Sequence, residues 1–369
     1  MSNISHLPVF DMKRRLDKHS ERMLNAVTNI LRSGNIVLGE PVERFERDFA
    51  NYIGVNHCIG VGNGTDAIEI ALRSFELNKG AKVGIAANAG GYSRIAIEAA
   101  GFKAVYEDVQ EETHCLSKEG VLGLLDAGVS AIILTHLYGR VAPDSLEIAA
   151  ICKAADIWLI EDCAQAHGSE HLNVRAGTFG DLATFSFYPT KNLGSLGDAG
   201  CIVSKNDELA MRVRKLRTYG WHEKYDVSLI GGRNSRIDAV QAAVLTSLLP
   251  YLEEENGERR KIAKILGSKL ESNYLSMVNK GAEGCNFHLL LVRTQFRREL
   301  TDHLNSLAIG SAIHYPIPDH RQSAWGDSSG LSLPITEKLA SEILSVPCFP
   351  GMTDEELSYL ISALNSFTP

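Results

Sequence analysis

Lys191 lies in the run Phe185-Ser186-Phe187-Tyr188-Pro189-Thr190-Lys191-Asn192-Leu193-Gly194, downstream of Glu161-Asp162-Cys163-Ala164-Gln165-Ala166-His167-Gly168. An amine, a carboxylate ending an apolar run and a nearby hydroxyl are the parts that pyridoxal phosphate chemistry needs. The amine can form a Schiff base with the cofactor aldehyde. The carboxylate can keep the pyridine nitrogen protonated, so that the ring accepts electrons as a Cα–H bond breaks. The hydroxyl of Ser186 can help hold a phosphate. A lone lysine in a loop is ordinarily a solvated charge. A strand-end acid in an α/β protein can serve a ligand or merely cap the next helix. The specific signal is the ordered set of Asp162, Ser186 and Lys191.

A second phosphate-binding feature lies upstream. Gly62-Asn63-Gly64-Thr65-Asp66-Ala67 follows an apolar run and opens a helical pattern. Backbone N–H groups at a helix N-terminus bind phosphate, and glycine lets the anion approach closely. The spacing Gly60-x-Gly62-x-Gly64 is not the Gly-x-Gly-x-x-Gly of a dinucleotide fold. A plain strand–helix turn is the alternative, and it loses weight once Lys191 stands downstream.

The elements that must position these groups follow from periodicity. Two charged amphipathic segments, 13–31 and 40–52, open the chain. Apolar runs at 58–62, 83–87, 103–106, 131–134, 158–160, 183–187 and 200–203 then alternate with helical patterns at 67–72, 93–100, 145–154 and 208–217. That alternation predicts an α/β fold with a mostly parallel mixed sheet covered on both faces. Ligands in such sheets bind beyond the carboxyl ends of strands, where Asp162 and Ser186 fall. From 235 to 276 the pattern is long and helical. The remainder reads as strand 287–292, helix 297–307, strand 311–314, a loop, and a helix over 354–364 opened by three acidic residues. The predicted organisation is a large cofactor-binding domain over 1–235, linking helices over 236–276 and a small α+β domain over 277–369.

Composition narrows the partners. A net charge of −8 argues against nucleic acid and anionic membrane surfaces. Seven cysteines, odd in number and without a Cys-x-x-Cys pair, argue against a disulfide framework and for a reducing cytoplasm. The start of the chain lacks the apolar run of a signal peptide, and no stretch has the length of a membrane span.

Three further segments carry polar groups. His167-Gly168-Ser169-Glu170-His171 matches a bare His-x-x-Glu-His pattern, but that zinc motif needs a helix, and the nearby glycines indicate a loop. No metal is expected. His314-Tyr315-Pro316-Ile317-Pro318-Asp319-His320 is a stiff loop whose His314, Tyr315 and His320 could bind substrate hydroxyls. The stretch from Tyr219-Gly220-Trp221-His222 to Gly231-Gly232-Arg233-Asn234 could be an idle loop or an arm reaching a second subunit.

Taken together, these residues resemble the DegT/DnrJ/EryC1/StrS family of sugar aminotransferases, which have the type I fold of pyridoxal phosphate enzymes. The likeness runs through Val37-Leu38-Gly39-Glu40, the Gly-Asn-Gly-Thr-Asp-Ala turn, Glu-Asp-Cys-Ala-Gln-Ala-His-Gly, Phe-Tyr-Pro-Thr-Lys-Asn-Leu-Gly and Asn-Ser-Arg-Ile-Asp, in family order. The resemblance implies pyridoxal 5′-phosphate as cofactor, Lys191 as the Schiff-base lysine and Asp162 as partner of the pyridine nitrogen. It places Gln165 near the ring hydroxyl and Gly64, Thr65 and Ser186 at the phosphate. Asn234 would reach the partner subunit's phosphate, which implies a homodimer with shared sites. The branch that aminates dTDP-linked 3-keto-6-deoxyhexoses is the most similar. There Tyr188, His314 and Tyr315 would face the sugar, with glutamate as amino donor.

One departure stands out. The family's Thr-Phe/Tyr/Trp-x-Ala-Thr segment carries an aromatic residue that stacks on the cofactor ring. Here the segment reads Ala89-Gly90-Gly91-Tyr92-Ser93, with Gly90 at the stacking position. Either Tyr92 shifts in, or another group covers that face. Two other functions remain open alongside the 3-amination: amination of a nucleotide-linked 4-keto sugar, and a non-catalytic regulatory or sugar-sensing relative. Lys191 argues against the latter. It also argues against dehydratase relatives, which carry histidine in its place.

Overall fold

The computed structural model describes residues 4–325 and 330–369. Two helices, α1 (Met12–Ser33) and α2 (Glu40–Ile53), precede a seven-stranded sheet. Its strands are β1 (His57–Val61), β2 (Lys82–Ala86), β3 (Lys103–Glu107), β4 (Ala131–Thr135), β5 (Trp158–Asp162), β6 (Leu182–Ser186) and β7 (Gly200–Ser204). They lie in the order β1-β7-β6-β5-β4-β2-β3. Strands β2 to β6 pair in parallel, and β7 runs antiparallel to both β6 and β1. β1, β5 and β6 therefore point the same way. Their carboxyl ends deliver the Gly62–Gly64 turn, Asp162 and Ser186 to one edge of the sheet.

The strands read as nearly continuous apolar runs because helices cover both faces. Helices α3 (Gly64–Ser74) and α4 (Tyr92–Ala99) share a core with Ile59, Ile85, Ile133 and Ile160. Helices α5 (Lys118–Asp126) and α6 (Ser145–Ala154) pack on Ile132, Leu134 and Leu159 of the opposite face. A third core joins α2 to β6. Phe49 meets Phe185 and Phe187 edge to face at 5.1 and 5.2 Å between ring centroids, a favoured aromatic geometry. That packing fixes the strand end that carries Ser186.

Helix α7 (Asp207–Leu216) follows the sheet, then α8 (Ala239–Leu248) and α9 (Leu252–Lys269) lead to the C-terminal core. There β8 (Ser276–Met277), β9 (Leu290–Arg293) and β10 (Ile343–Val346) form an antiparallel sheet. Helix α10 (Arg297–Ser306) and helix α12 (Asp354–Asn365) cover it, the latter opened by a Thr353–Glu356 capping box. Leu7 belongs to this core and bridges Ile309, so the first described residues pack with the C-terminal unit.

The predicted strand at 311–314 is reduced to one bridge, Ala312 with Ser345. Pro316 and Pro318 remove the donors a longer ladder would need. The loop expected before the last helix instead contains α11 (Pro334–Glu342) and β10. All seven cysteines are buried and unpaired. Among the described residues no helix is long and apolar enough to cross a membrane.

Candidate active site

The lysine loop is held from three sides. Nη1 of Arg15, on α1, donates to the carbonyls of Pro189 (2.8 Å) and Lys191 (3.1 Å), and Nη2 reaches Asn192 and Gly194. Asn192 Nδ2 donates to Asn256 Oδ1 at 2.7 Å, and its Oδ1 pairs with His288 Nδ1 at 2.9 Å. The backbone therefore cannot easily move when the lysine side chain does. Burial pushes the Lys191 amine down to about 8, and only the Asp162 carboxylate opposes that shift. Part of the lysine faces a cavity of about 560 Å³.

Asp162 ends β5 on the same cavity. Burial raises its pKa, while the Ala164 N–H, Lys191 and His136 hold it down. Its Oδ1 accepts from Ala164 N at 3.0 Å, which orients the carboxylate. The neighbouring Glu161 is fully buried and anchors the strand. It accepts from the N–H groups of Gly177, Phe179 and Gly180 and pairs with His136 Nε2 at 2.9 Å. With those partners Glu161 serves the backbone rather than the cavity.

The cradle opposite is built on the start of α3. Asn63 Oδ1 accepts from Asp66 N at 2.8 Å. The N–H groups of Gly64 and Thr65 precede it in the first turn, where no intrahelical acceptor exists. Glycine is required at 64: a Cβ there would lie 2.8 Å from Ser186 Cβ. Gly64, Thr65 and Ser186 thus form one wall, chemically suited to a phosphate. The amine, the carboxylate and this cradle share a single cavity, which fits pyridoxal phosphate.

The rim comes from several elements. Tyr188, Tyr92, His314 and Tyr315 line the cavity. Gln165 accepts from Tyr138 N at 2.6 Å and donates to Tyr315 Oη at 3.2 Å. Tyr138 Oη donates to the His314 carbonyl at 2.6 Å. His314 Nδ1 pairs with Ser345 Oγ at 2.9 Å, and burial lowers its pKa.

Ten of the residues singled out in the sequence line this cavity: Gly64, Thr65, Tyr92, Asp162, Gln165, Ser186, Tyr188, Lys191, His314 and Tyr315. Two do not. His320 is buried away from it, with Nε2 on Glu337 at 2.9 Å. Its place two residues after Pro318 puts it behind the loop rather than on the rim. Asn234 is exposed and bridges Thr218 outside the cavity. The segment from 167 to 171 ends in a short hairpin, 170–171 against 174–175, so it lacks the helix a zinc motif needs. His167 packs between Phe185 and Phe187. Sequence reasoning missed Phe10, His288 and Asp198 on the wall and Arg15 behind the lysine. No local pattern marks them: Phe10, Arg15 and His288 reach the site from distant parts of the chain, and Asp198 sits in a loop without a recognisable motif.

A model of the DegT/DnrJ/EryC1/StrS aminotransferase family matches residues 17–365. The chain is 36% identical over 362 residues to the dTDP-3-amino-3,6-dideoxy-alpha-D-galactopyranose transaminase of Aneurinibacillus thermoaerophilus, covering 98% of this chain and 99% of that protein. It is 37% identical over 355 residues to the dTDP-3-amino-3,4,6-trideoxy-alpha-D-glucose transaminase of Micromonospora megalomicea subsp. nigra, covering 93% of each. The crystal structure of S. venezuelae DesV in complex with a ketimine intermediate superposes with a TM-score of 0.94 at 32% identity, covering 99% of this chain and 100% of that one.

Proposed function

The chain belongs to the DegT/DnrJ/EryC1/StrS aminotransferase family, and from that premise we propose that it moves an amino group from glutamate to a dTDP-linked 3-keto-6-deoxyhexose. It is a pyridoxal phosphate-dependent aminotransferase of nucleotide-sugar metabolism, and its fold is the α/β fold of such enzymes. The observation that carries the site assignment is the convergence of Lys191, Asp162 and the Gly64–Thr65–Ser186 cradle on one cavity. The sugar class rests on the transaminase relatives named above. When bound, the cofactor supplies an electron sink for the substrate Cα–H bond. Lys191 would carry the proton, Asp162 would keep the ring nitrogen charged, and Gln165 would be available to the ring hydroxyl. Tyr188, His314 and Tyr315 face the sugar. Product analysis with a panel of dTDP- and UDP-linked 3-keto and 4-keto sugars tests this reading. Amination only at C4 would replace it with the 4-aminotransferase reading, and no product with any donor would favour a sensing role.

The amine of Lys191 must be neutral to capture an aldehyde. With its pKa near 8, the protonated form dominates below that value and the free base above it. The rate at which apoprotein takes up pyridoxal phosphate should therefore rise as pH increases through about 8 and level off beyond. Stopped-flow absorbance across a pH series measures this. A rate independent of pH from 6 to 9, on the order of this interval, would remove the amine titration from the capture step.

We place the working unit as a cytoplasmic homodimer with shared sites. Tyr188, Leu196, Tyr225, Val227 and Ile230 expose apolar surface that a second subunit would cover. Exposed Asn234 is then free to serve the partner's phosphate. Mixing a Lys191→Ala chain with an Asn234→Ala chain gives heterodimers with one doubly altered and one intact site. Activity should reappear from two weak parents. Heterodimers that form without recovering activity would put Asn234 to another use.

The His314 imidazole and the Tyr315 hydroxyl should act on the sugar half-reaction far more than on the glutamate half-reaction. Bonds from Tyr138 and Ser345 already fix the loop, so little entropy is lost on binding. Losing one neutral hydrogen bond in His314→Asn or Tyr315→Phe costs about 0.5–1.5 kcal/mol. Rapid mixing of each half-reaction separates the two steps. Equal slowing of both would make the loop part of the shared chemistry.

A further inference from the structure

We propose that Tyr315 covers one face of the pyridoxal phosphate ring, occupying the space that Gly90 leaves where the family has an aromatic side chain. The proposal rests on the cofactor assignment above. Gly90 adopts φ +81°, a conformation that side chains disfavour. A Cβ built on it would lie 2.9 Å from both Cδ1 and Cε1 of Tyr315 and 3.1 Å from Cγ. The phenol ring thus packs directly on the Gly90 backbone, and any larger residue at 90 would expel it.

The ring is held there by bonds on every side of its loop. Its hydroxyl meets Gln165 Nε2 at 3.2 Å. Tyr138 Oη fixes the preceding carbonyl. Asp319 closes the far end: its N–H donates to Ala87 O at 2.8 Å, and its Oδ1 accepts from Gly91 N at 2.7 Å. The loop from the C-terminal unit is therefore stapled to the Ala87–Gly91 turn of the large sheet, and Tyr315 is enclosed at the junction. It lines the same cavity as Asp162 and Lys191. A flat aromatic surface beside a flat heteroaromatic ring gives offset or edge contact at no cost in rearrangement.

Tyr92 is the competing candidate, and the geometry disfavours it. Tyr92 is 49% exposed. It meets Tyr315 edge to face, with centroids 6.1 Å apart and planes at 76°. Tyr92 thus buttresses Tyr315 from the solvent side. The glycine on one element and the inward tyrosine on the other meet in a single contact. Tyr315 keeps its contact with sugar in this scheme, because an aromatic rim can touch both ligands.

The experiment is a titration of apoprotein with pyridoxal phosphate, with sugar and amino donor both absent. The readouts are the dissociation constant and the position of the visible band of the lysine-bound cofactor. Tyr315→Leu should weaken binding by about 3- to 10-fold and shift the band. Tyr315→Phe should lose less and keep the band, because the ring remains. Tyr92→Leu should lose less than Tyr315→Leu. A Tyr315→Leu protein with wild-type affinity and band position overturns the proposal, as does a larger loss from Tyr92→Leu. Gly90→Ala guards against a misfolded Tyr315→Leu chain. It should weaken binding alone and cost clearly less in the Tyr315→Leu background, where the clash with the ring is gone and only the strain of a side chain at φ +81° remains. Additive losses would overturn the coupling. A wild-type apoprotein that takes up no pyridoxal phosphate would sink the cofactor assignment itself, which distinguishes that failure from a failure of stacking alone.

Discussion

Lys191→Ala is expected to abolish turnover while leaving the cavity able to bind pyridoxal phosphate. On the proposed assignment, the substitution removes the covalent link and the proton carrier together. Proton transfer by a positioned group contributes about 10²–10⁴-fold by itself, and the loss of attachment adds to it. The cradle of Gly64, Thr65 and Ser186 does not involve the lysine side chain, and Asp162 stays fixed by Ala164 N. The fold should survive because Arg15 holds the loop through backbone carbonyls, including that of residue 191 itself. Removing a half-enclosed amine whose pKa is already depressed also relieves desolvation. Single-turnover assays of both half-reactions, with equilibrium dialysis of the cofactor, measure the two effects. A purified variant retaining wild-type turnover would end the assignment of Lys191. A variant without cofactor binding would mean that the covalent bond, not the cradle, dominates retention.

The parts of the site legible in the sequence are those whose signal is local. A strand, a glycine turn and a helix follow one another within Cys58–Ala67, so hydrophobic period and turn chemistry suffice to place the cradle. Asp162 and Ser186 are visible because both end apolar runs. The parallel sheet then carries their ends to one edge as a matter of topology. The reversal of β7 was not legible. Gly200–Ser204 reads like its neighbours, and what distinguishes it is that no helix lies between β6 and β7 to carry the chain back across the sheet.

What stayed hidden acts between distant parts of the chain or against local propensity. Arg15 sits in a charged amphipathic helix and looks like a solvated cation, yet it is half-buried against the lysine loop. His288 is a lone histidine before an apolar strand, and only its partner Asn192 ties it to the site. Helix α5 carries Gly120 and Gly123, which dilute the helical signal, and it forms because Val121 and Leu124 are buried under the sheet. Helix α11 begins at Pro334, a residue suited to a first turn but also to a loop. The loop carrying His314 and Tyr315 could be recognised as stiff from its prolines. Its meeting with Gly90 could not, because the two glycines announce only flexibility until the tyrosine ring is seen against them.

Asp162→Asn is expected to lower kcat by about 10²–10³-fold, the scale for removing one preorganised electrostatic group from an enclosed site. The amide is nearly the same size as the carboxyl, so packing around β5 should hold. Its oxygen can still accept from Ala164 N, and the backbone bond from His136 N to the Asp162 carbonyl does not depend on the side chain. Strand position is further secured by Glu161, whose bonds to Gly177, Phe179 and Gly180 are untouched. The loss should therefore fall on chemistry rather than folding. A neutral amide cannot stabilise a protonated ring nitrogen, so the electron sink weakens. There is a second, opposing consequence. Asp162 is the group that raises the Lys191 pKa against burial, so its neutralisation should lower that pKa and leave more amine in the free form at neutral pH. Uptake of pyridoxal phosphate at pH 7 should thus stay intact or quicken while both half-reactions slow. Comparing uptake rate with kcat distinguishes this from general damage, which would depress both. Wild-type kcat in the Asp162→Asn protein would assign the pyridine nitrogen to another partner.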